Sequence, residues 1–340
     1  MKRKMMYYLS GVAVVLLAVC AFGCKGKSAN SDTAATDSAA IEKPVGPKFN
    51  PDSAYAYTAA QCDFGPRTMN SAAHDKCEQW IIQKFKQYGC EVQTQKADLK
   101  AYDGTILKST NIIASTNPDA QRRILISAHW DSRPWADNDP DSTNHQKPVM
   151  AANDGASGVA VMIELARLLQ ADSTLNVGVD FVCFDAEDWG VPEWDTEHQA
   201  LSGDSWALGS NYFSQNLPLA VRPEFGVLLD MVGGEGAQFY KEGVSMQFAS
   251  DVVDRVWAAA KSAGFGNYFP DSQGGMVTDD HYSLNKNANI PTIDIIPYYP
   301  DCAQSTFGPT WHTVNDTMEH IDRTSLQAVG QTLIQMLYTL

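Results

Sequence analysis

The chain has 340 residues, 44% of them hydrophobic and 10% aromatic. That composition excludes a mainly disordered protein and suits one large globular domain or two small ones. A formal charge of −15 repels nucleic acid and acidic lipid surfaces and argues against binding to either.

The first residues are set apart from the rest. Lys2, Arg3 and Lys4 form a basic start, and Tyr7 to Gly23 an apolar stretch interrupted only by small residues. Ala21-Phe22-Gly23-Cys24 resembles a bacterial lipobox, with Gly23 as the small residue before the Cys24 that would carry the lipid. Ala21 and Phe22 depart from the commonest form of that signal. A simple membrane anchor is the alternative, but the run is short for a span of about 20 apolar residues. Ser28 to Ala40 is rich in Ser, Ala, Asp and Thr and has too little bulky apolar surface for a core. The expected organisation is a lipoprotein signal peptide at 1–23, a flexible tether at 24–50 and a single folded domain at 51–340. The expected product is an exported, monomeric lipoprotein, anchored to a membrane through Cys24, with its folded domain in the periplasm.

Along the remaining chain, His74 to Tyr88 places Cys77, Trp80, Ile81 and Phe85 at helical spacing, and Gly89 closes it. Strand-like runs follow around Glu91–Ala97 and Ser109–Ser115. Arg123 to Ala128 and Val177 to Phe184 are short continuous apolar runs of the kind buried in a parallel sheet. Gly158 to Leu169 and Ser205 to Phe213 predict helices, and Phe225 to Leu229 a strand. Asp251 to Ala263 predicts a helix ended by Gly264, Thr292 to Ile296 a strand, and Ser325 to Tyr338 an amphipathic helix. Strands alternating with helices predict an α/β three-layer sandwich with a mixed, mostly parallel central sheet. The stretches 130–150 and 265–290 read as long polar loops. Cys183, Trp80 and Trp257 read as core. Export permits disulfides, but Cys62, Cys77, Cys90 and Cys302 are spaced irregularly and define no pairing. Because no Cys-x-x-Cys occurs, a thiolate zinc site is not expected.

Acids and histidines collect where apolar strands end. His129 and Asp131 follow one run, Asp185, Glu187 and Asp188 the next, and Asp230 a third, while Asp294 lies within a fourth. Asp154 sits in the turn Asn153-Asp154-Gly155 that opens a helix, and His312 lies before the last helix. In open α/β sheets ligands bind beyond the carboxyl ends of strands, so these groups should share one rim. Mixed oxygen and imidazole donors suit zinc, and three ligands with one open position mark a catalytic site. A single acid at a strand end is ordinarily a turn residue or helix cap, and Asp185 is read that way.

Five segments in order carry a resemblance to the zinc aminopeptidase-like clan. They are Ala128-His129-Trp130-Asp131-Ser132, Asn153 to Gly158, Phe184-Asp185-Ala186-Glu187-Asp188, Leu229-Asp230-Met231 and Trp311-His312-Thr313. Within the clan the chain resembles the glutaminyl-peptide cyclotransferases of animal type. Thr278-Asp279-Asp280-His281 resembles their Asp-Asp-His segment, Trp311 their pocket tryptophan, Phe307 their pocket phenylalanine, and Trp194 falls near another pocket aromatic. The resemblance implies one zinc ion on Asp154, Asp188 and His312, Glu187 as proton shuttle supported by Asp230 and Asp279, and peptides with N-terminal Gln as substrates. The chain departs from the animal enzymes in having Asp188 where they have Glu. His129 and Asp230, second-metal ligands in the dinuclear aminopeptidases of the clan, are both present, so an aminopeptidase remains the alternative on the same fold. An inactive, lipid-anchored binding module is the alternative of another class; intact ligands and Glu187 argue against it.

Overall fold

The structure, a computed structural model, describes residues 44–172 and 174–340. The expected signal peptide and Cys24 lie outside them.

Asn50 begins the first helix, its side chain accepting from the backbone N–H groups of Asp52 and Ser53 just before Pro51, whose fixed φ suits a first helical position. This helix, α1 (Pro51–Cys62), was not expected, because its Ala, Tyr and Thr residues form no apolar stripe. Next come α2 (Ala72–Gln87), β1 (Glu91–Lys100), β2 (Ile106–Thr116), β3 (Arg123–His129), α3 (Ala156–Gln170), β4 (Gly178–Phe184) and α4 (Leu208–Gln215). The chain continues with β5 (Phe225–Leu229), α5 (Gly243–Ser262), α6 (Asp280–Ala288), β6 (Thr292–Ile295) and α7 (Arg323–Tyr338). The supposed loop 265–290 thus contains α6, capped at its start by Asp279. Helix α5 starts earlier than its apolar pattern and is broken at Ala249, where φ is −146° and ψ 43°.

The sheet order is β1-β2-β4-β3-β5-β6. Strands β1, β2 and β4 pair antiparallel, while β4, β3, β5 and β6 are parallel. The central strands are apolar on both faces because both are covered. On β3, Ile124, Ile126 and Ala128 face a large core completed by residues of α1, α2, α3, α5 and α7. Leu125 faces a smaller core holding Phe213 of α4 and Leu284 of α6. This is the expected three-layer α/β sandwich. At the end of β3 opposite the site, the Arg123 guanidinium donates to both Asp180 oxygens and to the carbonyls of Asn117 and Thr116.

The folded body reaches back beyond Pro51. Phe49 is buried, its N–H donates to Gln331, and the N–H of Val45 donates to Gln335. Residues 45–50 therefore pack on α7 and are not tether. Apolar contact, which the composition of 24–50 as a whole masks, holds them there. Among the described residues all five cysteines are free, and no helix is long and apolar enough to cross a membrane.

Candidate metal centre and active-site cavity

Strand β3 lies between β4 and β5, and the chain leaves the sheet in different directions around it, which opens a crevice at the carboxyl ends. His129 ends β3, the Glu187–Asp188 turn follows β4, and Asp230 follows β5. Asp154 reaches the same place from the turn before α3. Gly155 there has a φ of +107°, and a Cβ would stand 2.8 Å from the Asp131 carbonyl, so only glycine fits. Further in, a side chain at Gly158 would overlap the Leu229 carbonyl, so α3 can start directly above β3 and β5. Ala186, Met231 and His312 all have left-handed backbone, with φ of 54°, 50° and 53°, a conformation that costs non-glycine residues energy and gathers at functional sites.

Two potential ligand sets share Asp154: Asp154, Asp188 and His312, and His129, Asp154 and Asp230. In the first, His312 Nε2 is 3.3 Å from Asp188 Oδ1 and 3.6 Å from Asp154 Oδ2. Zinc bonds of about 2.0–2.2 Å place tetrahedral ligand atoms about 3.3–3.6 Å apart. Asp154 Oδ2 and both Asp188 oxygens are buried without a hydrogen-bond partner, an arrangement too costly to leave without a cation. His312 Nδ1 faces Asp137 Oδ1 at 3.3 Å, and this fixes the ring so that Nε2 offers its lone pair to a metal. In the second set, His129 Nε2 lies 3.0 Å from Asp154 and 3.2 Å from Asp230, close enough for a protonated Nε2 to hold these acids when no second metal takes its lone pair.

Supporting acids position this site through backbone amides. Asp131 accepts from the N–H groups of Glu187 and Asp188, both at 3.1 Å. Asp316 accepts from those of Asn153 and Asp154 at 2.8 and 3.0 Å. Asp137 forms a bidentate pair with the buried Arg133, whose guanidinium also donates to the carbonyls of Asp188 and Gly190. Sequence reasoning missed Asp137, Asp316 and Arg133, although Asp131 stood in a quoted motif. Asp185 makes no contact with either ligand set; it pairs with His74 at 2.8 Å and accepts from the N–H of Thr110.

Crowding of acids shifts protonation. Burial and the carboxylates of Asp188, Asp279 and Asp280 push Glu187 well above the usual carboxylate range, against the pull of His129. Burial and the neighbouring Asp279 and Asp154, opposed by hydrogen bonding to His129, push Asp230 up to about 7. Burial opposes a charge on His312, yet Asp188 and Asp137 raise it to about 9. Each shift marks an excess of buried negative charge that a cation would relieve.

Above the acids lies a cavity of about 330 Å³ lined by Glu187, Asp230, Asp279, Trp206, Phe307 and Trp311, among others. Trp311 stacks on His312 with ring centres 3.8 Å apart, and Phe307 packs on Trp311 at 4.8 Å. Trp206, hidden within a predicted helix, stacks on the Arg133 guanidinium and lies parallel to His312. Trp194 does not line the cavity. It is 36% exposed and stacks on His145 beside Trp135, because its loop carries it outward; Trp206 is the aromatic that its segment contributes instead.

Residues 111–337 match the model of peptidase family M28. The chain belongs to that family. This M28 chain is 47% identical to a glutaminyl cyclase of Bacteroides thetaiotaomicron, which matches 87% of it over the whole of the other chain with a TM-score of 0.83. It is 45% identical to a Zn-dependent exopeptidase of Parabacteroides distasonis over the same shares, with a TM-score of 0.84. A curated relative, the aminopeptidase YwaD of Bacillus subtilis, is 27% identical over 72% of the chain, which spans only 48% of that protein. Animal glutaminyl-peptide cyclotransferases are also among the curated relatives, and the chain spans less than two thirds of the bovine one. Membership of M28 and the likeness to a zinc-dependent exopeptidase imply zinc as the metal.

Proposed function

We propose that this M28 protein is a glutaminyl-peptide cyclotransferase, converting the N-terminal Gln of peptides to pyroglutamate with release of ammonia, and that it uses one zinc ion held by Asp154, Asp188 and His312. The observation that carries the reading is the aromatic cavity of Trp206, Phe307 and Trp311 over that triad, with Glu187 and Asp279 lining it. The whole-chain likeness to a bacterial glutaminyl cyclase supports it.

In this reaction the α-amine attacks the carbon of the side-chain carboxamide, the C–N bond to the amide nitrogen breaks, and one proton moves from the attacking to the leaving nitrogen. No water is consumed. The zinc, when bound, polarises the carboxamide carbonyl and stabilises the charge that develops on its oxygen. Glu187 takes the proton from the amine and delivers it to the departing ammonia, help typically worth about 100- to 10,000-fold. Its raised proton affinity, set by burial and by Asp188, Asp279 and Asp280, suits a group that must hold the proton between the two transfers. The aromatic walls fold the Gln side chain back toward its own amine, so the reacting atoms meet without solvent between them.

A dinuclear aminopeptidase is the second reading, favoured by one observation: His129, Asp154 and Asp230 stand within reach of a second metal. One experiment separates the two. Purified protein is assayed for ammonia release from Gln-peptides and for cleavage of a chromogenic aminopeptidase substrate, with zinc determined on the same sample. Ammonia with no cleavage supports the cyclase; cleavage without ammonia sinks it. We also propose export and lipid attachment at Cys24, on the strength of Lys2–Lys4, the apolar run and the Gly23-Cys24 junction. Loss of membrane association in Cys24→Ala, seen by fractionation, is the expected result.

A further inference from the structure

The cavity over the M28 centre continues past its aromatic wall. Gly203, Trp206, Thr278 and Asp279 line it and also line a second hollow of about 350 Å³. That hollow is a groove between α4 and α6, which begin just after Trp206 and Asp279. Tyr282, Ser283, Lys286 and Asn287 line it from α6, and Asn211 and Gln215 from α4, each set spaced to share one helix face. The proposed chemistry takes place on the first residue of the substrate alone, and the rest of the peptide has to leave the cavity along some surface.

The groove is braced from within. Asn287 Nδ2 donates to Asn211 Oδ1 and Ser214 Oγ, both at 3.1 Å, and Gln215 Nε2 donates to Asn211 Oδ1 at 2.8 Å. Its charges are laid out end to end. Asp204 and Asp279 stand at the cavity end, beside the Trp206 that the two hollows share. Lys286 stands two turns farther along α6, about 10 Å from Asp279 at the rise of an α-helix. Its exposed Nζ donates to the Tyr282 hydroxyl at 3.2 Å and lies 5.0 Å from the centre of that ring, contacts that steady the ammonium without neutralising it. Among the described residues, Lys286 is the only lysine or arginine lining the cavity or the groove.

We infer that the groove holds residues two to four of the peptide and that Lys286 selects an acidic side chain among them. An extended chain advances about 3.3 Å per residue, so the stretch from Asp279 to Lys286 takes about three residues. Acids at the cavity end suit the amino end of a peptide, and a cation farther along suits a carboxylate, which fixes the direction of entry. The inference rests on the cyclase reading, since it takes the first residue to be buried in the cavity. It also runs against the overall charge of the molecule. At −15 the chain as a whole attracts basic peptides and repels acidic ones, so a preference for acid requires a local cation.

The test is ammonia release from amidated Gln-Ala-Ala-Ala peptides in which Glu or Lys replaces the alanine at position two, three or four, at low ionic strength. An exposed ion pair is worth roughly 1.4- to 5-fold, and a like-charge pair costs about as much. Wild type should therefore prefer Glu over Lys at one of these positions by roughly 2- to 25-fold in kcat/KM, through KM and not kcat. Lys286→Glu should reverse that order, and salt at about 1 M, where the screening length is about 3 Å, should erase it. Lys76→Glu, an exposed change on α2 in the opposite layer of the sandwich, should leave the order as it is. A wild-type preference for the basic peptides, or a preference for Glu that survives Lys286→Glu, overturns the inference. The all-alanine peptide reads the cyclase proposal by itself. Ammonia from it with no charge preference elsewhere sinks the groove alone, and no ammonia from any peptide sinks both.

Discussion

At the scale of single residues, Glu187 and the aromatic walls carry the chemistry, and substitutions separate their parts. Glu187→Gln removes the proton carrier but none of the proposed ligands. Ammonia release should fall by about 100- to 10,000-fold with the zinc content of the purified protein unchanged; activity within a few-fold of wild type removes Glu187 from its role. Trp206→Ala strips one wall and the partner of Arg133. Burial of a large apolar side chain is worth about 1.5–3 kcal/mol, so kcat/KM should drop roughly 10- to 150-fold. Trp194→Ala, outside the cavity, should leave kcat/KM nearly unchanged. The reverse pattern in steady-state kinetics would return Trp194 to the pocket. Most of these side chains were legible in sequence because His129, Glu187, Asp188 and Asp230 stand at strand ends. Trp206 was not, since a tryptophan at the edge of a helical pattern looks like core packing. Asp137 and Asp316 were hidden for another reason: one holds a ring nitrogen and the other two backbone amides, and neither contact leaves a spacing in the chain.

At the scale of elements, the central strands were readable since a strand buried on both faces is a continuous apolar run. Helices α3 and α7 announced themselves in the same way. Helix α6 escaped because Asp280-His281-Tyr282-Ser283-Leu284-Asn285 buries its polar side chains against other polar groups, as Asn285 does on the backbone of His281 and Thr292. The turn before α3 is held by Asp316 from a distant loop, and that long-range brace makes a measurable claim. Asp316→Ala would orphan the amides of Asn153 and Asp154 and free the Asp154 carboxylate to wander. Zinc affinity, followed by competition with a chelator, should weaken about 10- to 100-fold although no proposed ligand has changed. An unaltered affinity would mean that Asp154 is held without Asp316.

At the scale of the whole molecule, an acidic chain folds with much of its acid inside, and stability must respond to pH. Glu242 is the clearest case. Burial would raise its pKa, but His281 and the amides of Ser245 and Val244 outweigh that and lower it from 4.5 to about 2. A depressed carboxylate contributes stability above its unfolded value and loses it as pH falls through the folded one. The contribution, on the order of 3 kcal/mol, is therefore present above about pH 4.5 and lost on the way to pH 2. Wild-type Tm should fall more steeply over that window than that of Glu242→Gln, whose side chain cannot titrate. Parallel curves would show that Glu242 is not what acid attacks.

The left-handed residues 186, 231 and 312 bear on how freely the protein can change. Ala186 precedes Glu187 and Met231 follows Asp230, so two residues proposed neither as ligands nor as proton carriers set the direction from which the acids enter the site. A β-branched residue fits this backbone poorly. Valine or isoleucine at 186 or 231 would thus be rejected where most buried apolar positions accept either. A map of tolerated substitutions should show its narrowest places at these hinges of the main chain as well as at the acids and imidazoles, and a drift toward glycine there would loosen the centre while leaving every one of its side chains in place.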